Sequence, residues 1–121
     1  MGTVPSDLYR WGKSGPWLEN VRIVPSAVTG SLDAIAFERR RADGTIEIWV
    51  KGRERGVSCF MAPKPRKGKG KWWVIPRNTW YDDQLLYLYN SHRDHWSWAP
   101  ERDMPLETYQ RALAVLNDCF R

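Results

Sequence analysis

Cysteine and histidine are scarce in this chain of 121 residues, with two of each. Cys59 and Cys119 stand far apart and form no Cys-x-x-Cys pair, so neither a zinc ribbon nor a disulfide framework is suggested, and reduced cytosolic thiols are the expectation. Long apolar runs are missing, which excludes a membrane-spanning helix of about 20 residues. Met1 to Ser14 holds no charged-then-apolar export signal, so any export is expected to use another route. A phosphate loop is excluded as well. Gly12-Lys13-Ser14 carries its last three residues, but Asp7 occupies the place of the glycine that should stand five positions earlier.

What the chain does have is aromatic and basic. Hydrophobic residues make up 42% and eight residues are Trp, enough for a core, while a mean hydropathy of -0.61 gives a strongly polar surface. The length suits one domain, residues 1–121. A net charge of +5 is concentrated at Arg39 to Arg41, at Lys51 to Arg55 and in Lys64-Pro65-Arg66-Lys67-Gly68-Lys69-Gly70-Lys71, a distribution that draws in polyanions such as RNA, DNA, dinucleotides or acidic proteins.

Leu8 to Trp11 reads as a short strand. Ala34 to Glu38 and Thr45 to Val50 read as a hairpin about the Asp43-Gly44 turn signal. Gly56 to Met61 and Lys71 to Ile75 are further strands, separated by a basic loop whose prolines and glycines oppose regular structure. Gln84 to Tyr89 suits a strand or a helical turn. Pro105 opens a helix whose Leu106, Tyr109, Leu113, Leu116 and Phe120 form one apolar stripe. The expected class is α+β, with many short strands and one C-terminal amphipathic helix packed on the sheet.

His95 is the first candidate for chemistry. It follows Asp94 and lies among tryptophans, and imidazole is the side chain most easily poised for proton transfer near neutrality. Arg10 offers a planar fork of donors to a phosphate, with an ion-pair role as the plain alternative. Ser58 offers a hydroxyl that can bond a ribose. Phe60, Tyr9, Trp96 and Trp98 are candidate flat faces for an aromatic ring, Phe60 foremost, while Trp49, Trp72 and Trp73 are expected in the core or in strand pairs.

Four separated pieces stand in a telling order: Leu8-Tyr9-Arg10, Gly56-x-Ser58-x-Phe60, Trp73-Val74-Ile75-Pro76, and His95-x-x-x-x-Pro100 followed by Met104. In this order, over residues 8 to about 120, the chain resembles the short ADP-ribosyltransferase-like toxins delivered by bacterial type VI secretion systems and related polymorphic toxins. The resemblance implies a compact split β-sheet that clamps NAD as a substrate, with Arg10, Ser58 and His95 as the catalytic set and Arg10, Ser58, Phe60 and Tyr9 against the dinucleotide. It also implies action in the cytosol of target cells and a cognate immunity protein or antitoxin. The chain departs from the commoner arginine, serine, glutamate pattern in having His95 at the third place. No metal site is expected.

Two other readings stay open. His92 and His95 suit the acid and base of a metal-independent ribonuclease toxin, with lysines near the phosphate. The basic loops and tryptophans suit a non-enzymatic RNA-binding module.

Overall fold

Alternation of aromatic or β-branched residues with polar ones, broken by Gly, Pro and Asp, sets short antiparallel strands. The computed structural model describes residues 1–121. Its elements are β1 (Gly2–Thr3), β2 (Leu8–Gly12), β3 (Ala36–Arg40), β4 (Ile46–Val50), β5 (Val57–Phe60), β6 (Lys71–Ile75), β7 (Trp80–Tyr81), β8 (Leu86–His92), β9 (His95–Pro100), β10 (Met104–Pro105) and α1 (Leu106–Asn117). The class is α+β, as expected, with several antiparallel sheets and a single C-terminal helix.

Five strands form the main sheet in the order β6-β2-β5-β9-β8, three form a second in the order β10-β4-β3, and β1 pairs with β7. The β3–β4 hairpin turns at Gly44, whose φ of 87° favours glycine, and the Asp43 carboxylate accepts from both the amide and the hydroxyl of Thr45. Of the segment 84–89, Gln84 and Leu85 lie in a turn and Leu86 to Tyr89 are strand: β8 runs from Leu86 and turns into β9 through Arg93-Asp94, with Arg93 at a φ of 49°.

One face of the main sheet is dry. Leu8, Val57, Cys59, Ile75, Leu86 and Trp98 are buried there with Val50 and Met104 of the second sheet and with Tyr109, Ala112, Leu113 and Leu116 of α1. The helix touches β4, β10 and β8, so its stripe ties the two sheets together. The Tyr109 hydroxyl donates to the Trp98 carbonyl, which keeps a buried polar group satisfied. Gly56 lies against that same stretch of β9: a Cβ there would sit 2.4 Å from the Trp98 carbonyl. No helix of the chain is long and apolar enough to cross a membrane.

The main sheet is nearly divided. β2 and β6 pair along five positions, but β2 and β5 pair at only one, Tyr9 with Phe60. Beyond that point β2 and β5 no longer pair. Arg10 fills the gap: its Nη1 donates to the Ser58 carbonyl at 2.7 Å and its Nε to the Pro16 carbonyl at 3.2 Å. A charged donor is well suited to this, because a carbonyl left bare in a half-buried gap costs the full desolvation penalty.

Candidate functional site

Residues that pair directly across antiparallel strands share one face of a sheet. Phe60 and His95 therefore lie on one face, and so does the row through Ser58, Ser97 and Tyr89, while His92 meets His95 past a register shift that follows Asn90. Along β9 the side chains alternate: His95 and Ser97 take this wet face, while Trp96 and Trp98 take the core face. The same alternation on β5 sends Ser58 and Phe60 to the wet face and Val57 and Cys59 to the core.

The opposite wall is the long segment 13–35, which has no strand or helix of its own. It is tied down from behind by α1. The Leu18 amide donates to Asn117 Oδ1 at 3.1 Å, Gln110 donates to the Glu19 carbonyl, and Asn117 donates to the Glu19 carboxylate. Within it the Arg22 amide donates to Asp33 Oδ2 at 2.9 Å and the Arg22 guanidinium to Ser31 Oγ at 3.1 Å. Long loops anchored on a scaffold are where binding side chains gather.

Between these walls lies a cleft of two adjoining lobes, about 600 and 700 Å³, both lined by Arg10, Arg22, Ser31, Asp33, Ser58, Phe60, Arg66 and His95. Leu32, Glu54, Arg55, Gly56, Tyr89, Ser91 and Ser97 complete the first lobe, and Trp11, Asn20, Ser26 and Thr29 the second. Most small-molecule sites are walled chiefly by apolar groups. This one offers four guanidinium groups, a row of hydroxyls and few rings, a lining suited to an anionic, hydroxyl-rich ligand. No three His, Cys, Asp or Glu side chains gather as metal ligands would.

Arg10, Ser58, Phe60 and His95, distant in sequence, thus line a common cleft. Tyr9 does not line it, although it pairs with Phe60. Trp98 is fully buried in the core and Trp96 packs against that core, so neither is a platform for a ligand. Trp49, Trp72 and Trp73 are half-buried strand-pair residues, not interior ones. The guanidinium of Arg10 is also more occupied than a free phosphate fork, because one donor bonds the Ser58 carbonyl of β5 and another the Pro16 carbonyl of the following loop, while Nη2 bonds no protein group.

His95 is half-buried and stacks on Phe60, ring centroids 4.6 Å apart and planes inclined by 19°. Its pKa lies below the ordinary imidazole value: loss of water around the ring lowers it most, Asp94 pulls it back up, and Lys64 and His92 push it down. The neutral imidazole, an acceptor able to take a proton, is therefore the form this setting favours. Asp94 does not orient the ring. Its carboxylate pairs with Lys64 Nζ at 3.3 Å, and the cross-strand Phe60 holds the imidazole.

Ser97, Arg22, Arg55, Arg66 and Glu54 were not expected in the site. Period-two reading of His95-Trp96-Ser97-Trp98 finds Ser97, because it puts the two polar residues on one face and the two indoles on the other. Nothing local in the sequence marks Arg22 or Glu54. Compared with protein families, with curated proteins and with solved structures, the chain matches none.

Proposed function

We propose that this chain is an NAD-consuming toxin domain of the ADP-ribosyltransferase kind. The observation that carries the reading is the meeting of Arg10, Ser58, Phe60 and His95 in one polar cleft. The divide between β2 and β5 is the feature through which the fold fits a split-sheet clamp. The cleft volume and lining suit a dinucleotide: Arg10 Nη2, Arg22 and Arg66 for the pyrophosphate, Ser58 and Ser97 for ribose hydroxyls, and the outer face of the His95–Phe60 stack for a flat ring.

In this reading the bond between the ribose C1′ and the nicotinamide nitrogen breaks, its electron pair leaves with neutral nicotinamide, and positive charge builds on the ribose. Glu54, whose carboxylate bonds no other side chain, lines the cleft and balances that charge. Neutral His95 takes the proton from the acceptor's O–H or N–H as that atom bonds to C1′. The site of action is the cytosol, where the dinucleotide is found, and a cognate immunity protein or antitoxin would act by covering the cleft. Purified protein should release nicotinamide from NAD with water as acceptor, and its expression should arrest growth and deplete NAD. Unchanged NAD, together with no NAD binding by calorimetry, would overturn the reading.

One observation favours a second reading. His92 and His95 face each other across the β8–β9 hairpin, an arrangement open to acid–base cleavage of RNA held by the cleft arginines. That ribonuclease would cut RNA in the absence of NAD and would lose activity in His92→Ala, a substitution the transferase tolerates.

A further inference from the structure

Beside the cleft the sheet carries a surface of which the chemistry above uses only Arg66 and Phe60. No acidic residue occurs from Met61 to Tyr81, and within that stretch Lys64, Arg66, Lys67, Lys69 and Lys71 are all exposed. Lys64 alone of the five has an acidic partner, Asp94. The loop is laid on aromatic rings. Lys71 Nζ stands 3.8 Å over the Trp73 ring, Arg66 lies 5.5 Å over Trp72 and Lys64 lies 5.3 Å over Phe60. Trp72 meets Trp11 edge-on at 5.5 Å and Phe60 at 5.8 Å, and its indole N–H donates to the Lys64 carbonyl. Gly70 is needed where the loop returns, since a Cβ there would sit 2.8 Å from the Trp11 indole.

This is cation and flat ring in alternation, each ring partly exposed, and it runs into the cleft through Trp11, Phe60 and Arg66. A cationic loop by itself fits any polyanion, whereas exposed rings set among the cations fit a chain that carries phosphates outside and flat bases inside. An acidic protein face gives the indoles nothing to stack on, and a paired duplex hides its base faces. We propose that the 64–71 loop, together with Trp11 and Trp72, binds a single strand of nucleic acid and leads it to the mouth of the cleft. As the identity of the acceptor, this rests on the NAD reading; as binding, it stands alone.

The test uses the whole chain and fluorescein-labelled single strands of uridine or thymidine, about 12 nucleotides long to match the site sizes of such surfaces. Anisotropy is followed against salt without NAD, alongside a duplex of equal length, heparin and a glutamate-rich peptide. Single strands should bind with tryptophan quenching and a steep loss with salt. Lys67→Glu with Lys69→Glu should weaken binding about tenfold near 0.15 M salt and flatten the log–log slope by about 1.4. Neither lysine lines the cleft or pairs with another group, so the fold and NAD hydrolysis should stay as they are. Equal binding of heparin or duplex, binding of the peptide alone, or an unchanged double variant would each overturn the proposal. The NAD reading fails separately, in nicotinamide release measured without nucleic acid.

Discussion

The two faces of β9 differ in kind, one dry and one polar, although one six-residue strand supplies both. Trp98 on one face loses all contact with water and packs edge-on against Tyr81. His95 on the other keeps part of its hydration and stacks on Phe60. Burial acts on both sides, but to different ends. On the core face it makes groups inert: the Cys59 thiol is pushed up to about 11, and the Tyr109 hydroxyl is raised far above its ordinary range. On the cleft face, partial burial lowers the His95 imidazole and so favours its neutral form. A one-residue step along a strand thus separates a dry packing face from a polar cleft face.

The largest effects should come from breaking one face at a time. Trp98→Ala empties the centre of the core and should cost about 3–5 kcal/mol, read as a drop in the denaturation midpoint. His95→Ala should leave that midpoint within about 1 kcal/mol of the parent while nicotinamide release falls about 100-fold or more. Equal loss of stability in the two variants would mean that His95 is a packing residue and that the contrast between the faces is false.

Arg10 straddles the divide and should respond on both measures. Arg10→Ala removes the only side chain that bonds the parted strands, a loss of about 2 kcal/mol for charge-assisted bonds to backbone carbonyls. Arg10→Lys should restore part of the stability with its single cationic head yet fail to restore NAD binding, because it lacks the fork. Full recovery of binding by lysine would leave Arg10 a strut only.

How far these contrasts can be read from the sequence depends on the length scale of each signal. Strands β2, β3, β4, β5 and β6 follow from local alternation and turn residues, and α1 from its stripe, because each pattern repeats within the element itself. The paired strands of two residues, Gly2–Thr3 with Trp80–Tyr81 and Met104–Pro105 on β4, are too short to show a period. His95 illustrates why neighbours in sequence mislead. Asp94 and Trp96 adjoin it along the chain, but a strand turns successive residues to opposite faces, so its true companions are Phe60 and His92 across the sheet. The tryptophan count likewise pointed to more buried indoles than the single one, Trp98, that the core holds beside Tyr109 and Phe120. Arg22 and Asp33 reach the cleft only because α1 pins a loop that has no periodicity to read.

The smallest expected effect is the sharpest test of the electrostatics. His95 carries a lowered pKa, so the folded state disfavours its protonated form. Its contribution to stability is complete above the ordinary imidazole pKa and is lost as pH falls from there through the lower folded value. The acid limb of nicotinamide release should lie in that same window. Asp94 and Lys64 act on the ring with opposite signs, and each is exposed enough for solvent to weaken it. Asp94→Asn should therefore move the acid limb to lower pH, and Lys64→Gln should move it to higher pH, each by a fraction of a unit and with little change in the plateau rate. Such a pair of opposite shifts cannot arise from a general loss of folding, which would depress both plateaus. Limbs that both stay in place would show that the titrating group is not His95, and the proton would then have to be assigned to another residue of the cleft.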